Sequence, residues 1–162
     1  MVRPKRTPPA LEAQKRANVL QVLFKCARLV NERAIERVND EAGRRLLRPA
    51  VTNLLPHISF EGTPVGEIAK KVGVTKQAIS KLVAELEAEG VVELVTHPTD
   101  GRAKLVRFTA AGARAIAYGL SVLSGIETEL AEEVGASKMH AMHETLLALV
   151  EALERPAPPK GS

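Results

Sequence analysis

One stretch, TPVGEIAKKVGVTKQAISKLVAELEAEGVVELVTHPTDGRAKLVRFT at residues 63–109, narrows the choice of folds more than any other part of the chain. Thr63 is a candidate N-cap, and Pro64 suits a first helical position, where a missing N–H costs nothing. Val65, Ile68, Ala69 and Val72 then recur on one helical face until Gly73 closes the turn. Thr75 offers a second N-cap at once, and Ile79, Leu82, Val83 and Leu86 form a stripe that runs to Gly90, a residue suited to the C′ position. Two short helices joined by so few residues must cross steeply. Beyond Gly90, residues 91–96 and 104–108 are rich in β-branched and apolar side chains, and His97-Pro98-Thr99-Asp100-Gly101-Arg102 between them is a turn cluster. The spacing therefore predicts a helix-turn-helix followed by a two-stranded β-hairpin, which is a winged helix.

With the apolar stripe turned inward, Thr75, Lys76, Gln77, Ser80 and Lys81 face outward in the first two turns of the second helix. Helix N-termini favour anions through their free N–H groups, and hydroxyl, amide and ammonium groups there suit phosphates and base edges. Glu85, Glu87 and Glu89 appear only in the later turns. The hairpin tip adds Arg102 and Lys104, which a winged helix presents to a second DNA surface.

Taken together, EIAKKVGVTKQAISKLVAELEAEGVVE, the Asp100-Gly101-Arg102 turn, the strand KLVRF and the following FTAAG resemble, in order and spacing, the MarR (multiple antibiotic resistance regulator) family of bacterial transcription factors. These motifs cover less than a third of the chain. The resemblance implies a mainly α fold with a small β-hairpin wing, in which a winged helix-turn-helix domain is flanked by N- and C-terminal dimerisation helices. It implies that Arg102 enters the minor groove and that Asp100 positions it. It further implies a homodimer bound to double-stranded DNA, with a small-molecule effector of unknown identity seated between the dimer helices and the DNA-binding lobes.

Charge distribution agrees with a nucleic-acid binder. Residues 1–58 hold 12 Lys and Arg against 5 Asp and Glu, whereas residues 109–154 hold 2 against 7. A basic half and an acidic half fit a binding end and a separate, non-binding end, although a basic face also suits an acidic protein partner. Aromatic residues are only 2% of the chain, namely Phe24, Phe60, Phe108 and Tyr118, so an effector cavity would lack stacking surfaces. No apolar run is long enough to span a bilayer and residues 1–9 lack a signal-peptide core, so no membrane partner and a cytoplasmic location are expected.

Residues 1–9, with Arg3, Lys5 and Arg6 among three prolines, are expected to form a disordered basic tail, either merely solvated or touching phosphates. Residues 10–154 are expected to form the winged-helix domain, with the DNA-binding lobe at about 46–108 and dimerisation helices at about 10–39 and 109–154. Within it, one helix is expected over 10–39 and a second over 46–59, where Pro56 kinks it or marks its last turn. Thr109 opens a long helix reaching about Val134, in which close backbone packing would account for Gly112, Gly119 and Gly125. Ser137 is expected to cap a final helix, and residues 155–162 form a second disordered tail.

Other chemistries fare less well. No GxGxxG, P-loop, HExxH or GxSxG pattern is present and no triad spacing stands out, so an enzyme is not expected and no cofactor is implied. His140 and His143 have a metal-compatible spacing but lack matching carboxylates or thiols, so no metal site is expected. Cys26 is expected to be a buried structural thiol rather than a peroxide sensor. The reading is a sequence-specific, homodimeric transcriptional regulator, more in keeping with a repressor than an activator. Its rivals are a winged-helix protein-interaction module and an architectural DNA binder without sequence preference.

Overall fold

The computed structural model describes residues 9–43, 45, 47–97, 99 and 103–155 of the 162-residue chain. Asp100 and Arg102, Pro98 and Gly101, and both expected tails apart from Pro9 and Arg155 lie outside the described residues. The structure divides into two compact units, Met1–Val122 and Leu123–Ser162.

The first expected helix is two. Helix α1 (Pro9–Ala17) ends before Asn18, and α2 (Val19–Ala42) begins after it. Asn18 has an extended backbone, and its Oδ1 accepts the Gln21 N–H at 3.0 Å. The hydrophobic period hides this break, because a short amide side chain competes locally with the helix and favours the cap. Gly43, in the left-handed conformation, closes α2.

Helix α3 (Pro49–Leu54) is also shorter than expected, with Pro49 in its first turn and a 3₁₀ turn at Leu55–His57. Pro56 has no N–H to offer Thr52, so the α pattern cannot continue through it. The start of α3 is tied to α2 through one amide: Asn39 Oδ1 accepts the Leu47 N–H at 2.8 Å and Asn39 Nδ2 donates to Leu47 O at 2.9 Å.

Thr63 does not cap the helix, and Pro64 takes the N-cap position in place of the first helical one. They form a two-residue strand, β1 (Thr63–Pro64), antiparallel to β3 (Lys104–Phe108), with Thr63 opposite Val106 and Pro64 opposite Leu105. Thr63 is buried, and its hydroxyl oxygen accepts the Ser59 N–H at 2.9 Å, so it is not available to cap. Helix α4 (Val65–Val72) follows directly. The expected two-stranded wing is thus a three-stranded sheet in the order β1-β3-β2, in which β2 (Val92–Thr96) pairs antiparallel with β3. A two-residue strand carries too little pattern to be read from period alone.

The core of this lobe forms where the stripes of three helices meet the inner face of the sheet. Leu54 from α3, Ile68 from α4, Ile79 and Val83 from α5 (Lys76–Ala88), and Val92 and Val106 from the strands are all at most 3% exposed. At about 1.5–3 kcal/mol for each fully buried aliphatic side chain, this cluster holds the lobe together without aromatic residues at its centre.

Helix α6 (Ala110–Val134) starts from Thr109, whose Oγ1 accepts the Gly112 N–H at 2.9 Å. Helix α7 (Ala136–Glu154) is capped at Gly135 and not by Ser137, which lies inside its first turn. The flanking helices leave apolar side chains uncovered in the single chain: Val19 and Phe24 on α2, Leu120 on α6, and Met142, Val150 and Leu153 on α7 are all at least half exposed. No residue of α7 is buried. Cys26 is exposed rather than buried, within a stretch of α2 in which residues 24–29 are all exposed. Among the described residues no helix is long and apolar enough to cross a membrane.

Candidate nucleic-acid interface

The helix-turn-helix is α4, the Gly73-Val74-Thr75 turn and α5. Gly73 adopts a left-handed backbone and its N–H reaches Ala69 O. Thr75 then caps α5 as expected, its Oγ1 accepting the Ala78 N–H at 3.2 Å. At the far end Gly90 has φ +71, and the Gly90 and Val91 N–H groups turn back to Glu87 O and Leu86 O. Only glycine adopts this backbone cheaply, and the arrangement closes the helix and aims the chain into β2.

The faces of α5 divide as its spacing predicts. Ile79, Val83 and Leu86 are buried, while Thr75, Lys76, Gln77, Ser80 and Lys81 are all exposed. Two ammonium groups, two hydroxyls and an amide therefore stand clear of the core within two turns. Ala78 and Ala84, which the sequence reading passed over, are exposed on the same helix and leave room for close approach of a base edge or a thymine methyl.

The acidic side chains of the later turns are engaged elsewhere. Glu87 Oε1 accepts the Leu94 N–H at 3.2 Å, fastening α5 to β2. Glu85 is ion-paired with Arg48, which precedes α3. No local pattern announces Arg48, since it sits 37 residues from its partner.

On the wing, Lys104 is exposed, and its Nζ donates to Thr96 Oγ1 at 3.0 Å across a register pair. Arg107 and Glu93, also register partners, are joined at 2.7 Å. The His97 N–H donates to Ala103 O at 3.0 Å, and the Thr99 N–H donates to His97 Nδ1 at 3.3 Å, so the turn is held at its base. Among the described residues no group of three His, Cys, Asp or Glu side chains could hold a metal.

Residues 47–103 match the model of the MarR family. No curated protein matches the sequence. Among solved structures, a transcriptional regulator from Thermotoga maritima is 24% identical over 83% of this chain and 93% of its own, with a TM-score of 0.62. A mutant MarR from E. coli is 21% identical over 79% of this chain and 96% of its own, with a TM-score of 0.60. The transcriptional repressor CouR, solved on a 23-mer DNA duplex, is 21% identical over 86% of this chain and 94% of its own, with a TM-score of 0.62. Residues 47–103 thus match the MarR family, and the chain shares the winged helix-turn-helix fold of these solved transcriptional regulators.

Proposed function

We propose that the protein is a homodimeric, sequence-specific DNA-binding regulator that represses transcription from a near-palindromic operator. The observation that carries this reading is the exposed Thr75, Lys76, Gln77, Ser80 and Lys81 face on a helix whose opposite face is locked into the core. A helix fixed in this way enters a major groove with its first turns foremost. Gln77 suits the paired donor and acceptor of adenine, and Lys76 and Lys81 suit guanine edges or phosphates. Lys104 extends the contact along the wing. Asp100 and Arg102 enter by family resemblance: Arg102 inserts into the adjacent minor groove and Asp100 holds it. CouR, a relative in fold, was solved on a DNA duplex, which supports the same partner for this chain.

The second copy follows from the uncovered apolar side chains of α2, α6 and α7, which a lone subunit leaves in water. Pairing two subunits through these helices sets two recognition helices on successive major grooves, about 34 Å apart. An effector acts on such a dimer only through different affinities for the arrangements that do and do not match this spacing. With four aromatic side chains in the whole chain, a non-aromatic effector fits better than one that needs stacking.

Selection of bound sequences from a random duplex pool, with sedimentation of the free protein, tests the reading. The expected result is a dimer that enriches an inverted repeat with half-sites one helical turn apart. Binding without enrichment would make the protein an architectural binder. Failure to bind any duplex would point to a protein-interaction module.

A further inference from the structure

Arg48 lines an open groove between α3 and α5 together with Asn53, Val74, Ala78, Lys81 and Glu85. Its guanidinium is paired with Glu85, which lies four residues beyond Lys81 on the same flank of α5, a rise of about 6 Å. The groove edge nearest the DNA-reading face thus holds two cations and one carboxylate.

Resting on the DNA-binding reading above, we propose that this groove is a second phosphate seat in which Arg48 is held by Glu85 in the free protein and exchanges that carboxylate for a DNA backbone phosphate in the complex. Three observations carry the exchange. Both partners are about half exposed, with side-chain accessibilities of 54% and 41%, so water screens the pair and its loss costs the fold little. The start of α3 is already fixed by the two hydrogen bonds between Asn39 and Leu47, so Arg48 is presented from a stable point without Glu85 as a strut. A phosphate accepts the same forked pair of N–H bonds as a carboxylate and adds release of condensed counterions. Asn53 and Lys81, on the two walls of the groove, supply further donors. Until DNA arrives, Glu85 masks one positive charge on each subunit, which lowers affinity for duplexes that do not draw α5 fully into the groove.

The test measures affinity for a duplex recovered by selection, across a salt series, for the full chain and for Arg48→Met, Glu85→Gln and the double variant. Each phosphate contact contributes about 0.9 to the slope of log affinity against log salt, so a dimer that loses two contacts loses about 1.8. Between 50 and 200 mM salt this amounts to a change of about 12-fold in the ratio of wild-type to Arg48→Met affinity. Glu85→Gln is expected to tighten binding, and that gain should vanish when Arg48 is also replaced. An unchanged slope in Arg48→Met overturns the proposal even if affinity falls. Equal weakening by both single variants with lowered melting temperatures overturns it as well, because that is the behaviour of a structural strut. A wild-type protein that binds no duplex removes the regulator reading itself, whereas wild-type binding with an unaltered Arg48→Met slope removes only the phosphate seat.

Discussion

At Gly112 the lobe and the long helix meet more closely than side chains allow. A Cβ added there would lie 1.9 Å from the Val91 carbonyl oxygen, while contacts under 3.0 Å are essentially never made, so helix and loop would have to part by about 1.1 Å. That oxygen also accepts the Thr109 N–H at 3.1 Å, and Thr109 Oγ1 donates to Gly90 O at 2.6 Å. Separation on this scale breaks at least one of these bonds. Losing a hydrogen bond costs about 0.5–1.5 kcal/mol, and overpacking adds about 1–3 kcal/mol. Against this, alanine in place of a helical glycine gains about 0.5–1 kcal/mol. Gly112→Ala is therefore expected to destabilise by about 0.5–4 kcal/mol. Gly119→Ala, on the same helix with nothing within 4 Å of the added atom, is expected to stabilise by about 0.5–1 kcal/mol. Urea unfolding at one fixed protein concentration reads both, because the midpoint of any self-associating protein depends on concentration. With a slope of about 2 kcal/mol/M, Gly112→Ala should lower the midpoint by about 0.25–2 M. A Gly112→Ala midpoint at or above wild type, or shifts of the same sign in both variants, would refute the assignment of Gly112 to close backbone approach.

Four further outcomes are expected. Gln77→Ala should relax preference at one operator base pair by about 1–3 kcal/mol while leaving the salt slope alone, whereas Lys81→Ala, if its ammonium meets a phosphate, should lower the slope by about 0.9 per half-site; competition binding over a salt series separates the two. Thr75→Ala removes the oxygen that accepts the Ala78 N–H and should cost about 1 kcal/mol of stability in denaturant. Tyr118 donates a hydrogen bond to Glu41 Oε2, and this bond, with burial and the Glu41 charge, raises its pKa above the usual 10.0. A raised folded value favours the protonated phenol, so this contribution is complete below pH 10 and is lost as pH climbs through the folded pKa. Tyr118→Phe should flatten the alkaline arm of a stability profile, and an unchanged arm would discount the link between α2 and α6.

The winged helix was legible because its signals are local. The stripe Ile79, Val83 and Leu86, the cap at Thr75, and the glycines at 73 and 90 each act over three or four residues, and α5 and β3 lie where these signals place them. Which side of α5 faces out followed from the same period. Other local signals competed and misled. Asn18 splits a continuous apolar pattern, Pro56 tightens a helix into a 3₁₀ turn, and Gly135 takes the capping position expected of Ser137.

What only the tertiary structure decided are pairings between residues far apart in the chain. Thr63 and Pro64 look like a helix start until β3 lies beside them, where their extended backbone completes a sheet edge and the Thr63 hydroxyl turns to Ser59. Arg48 and Glu85 meet because α3 and α5 contribute to one core, and Gly112 becomes indispensable through the approach of Val91. Periodicity records which face of an element is buried, because burial repeats with the geometry of the backbone. It carries no record of the partner on that face, which is set by how several elements fill one core at once.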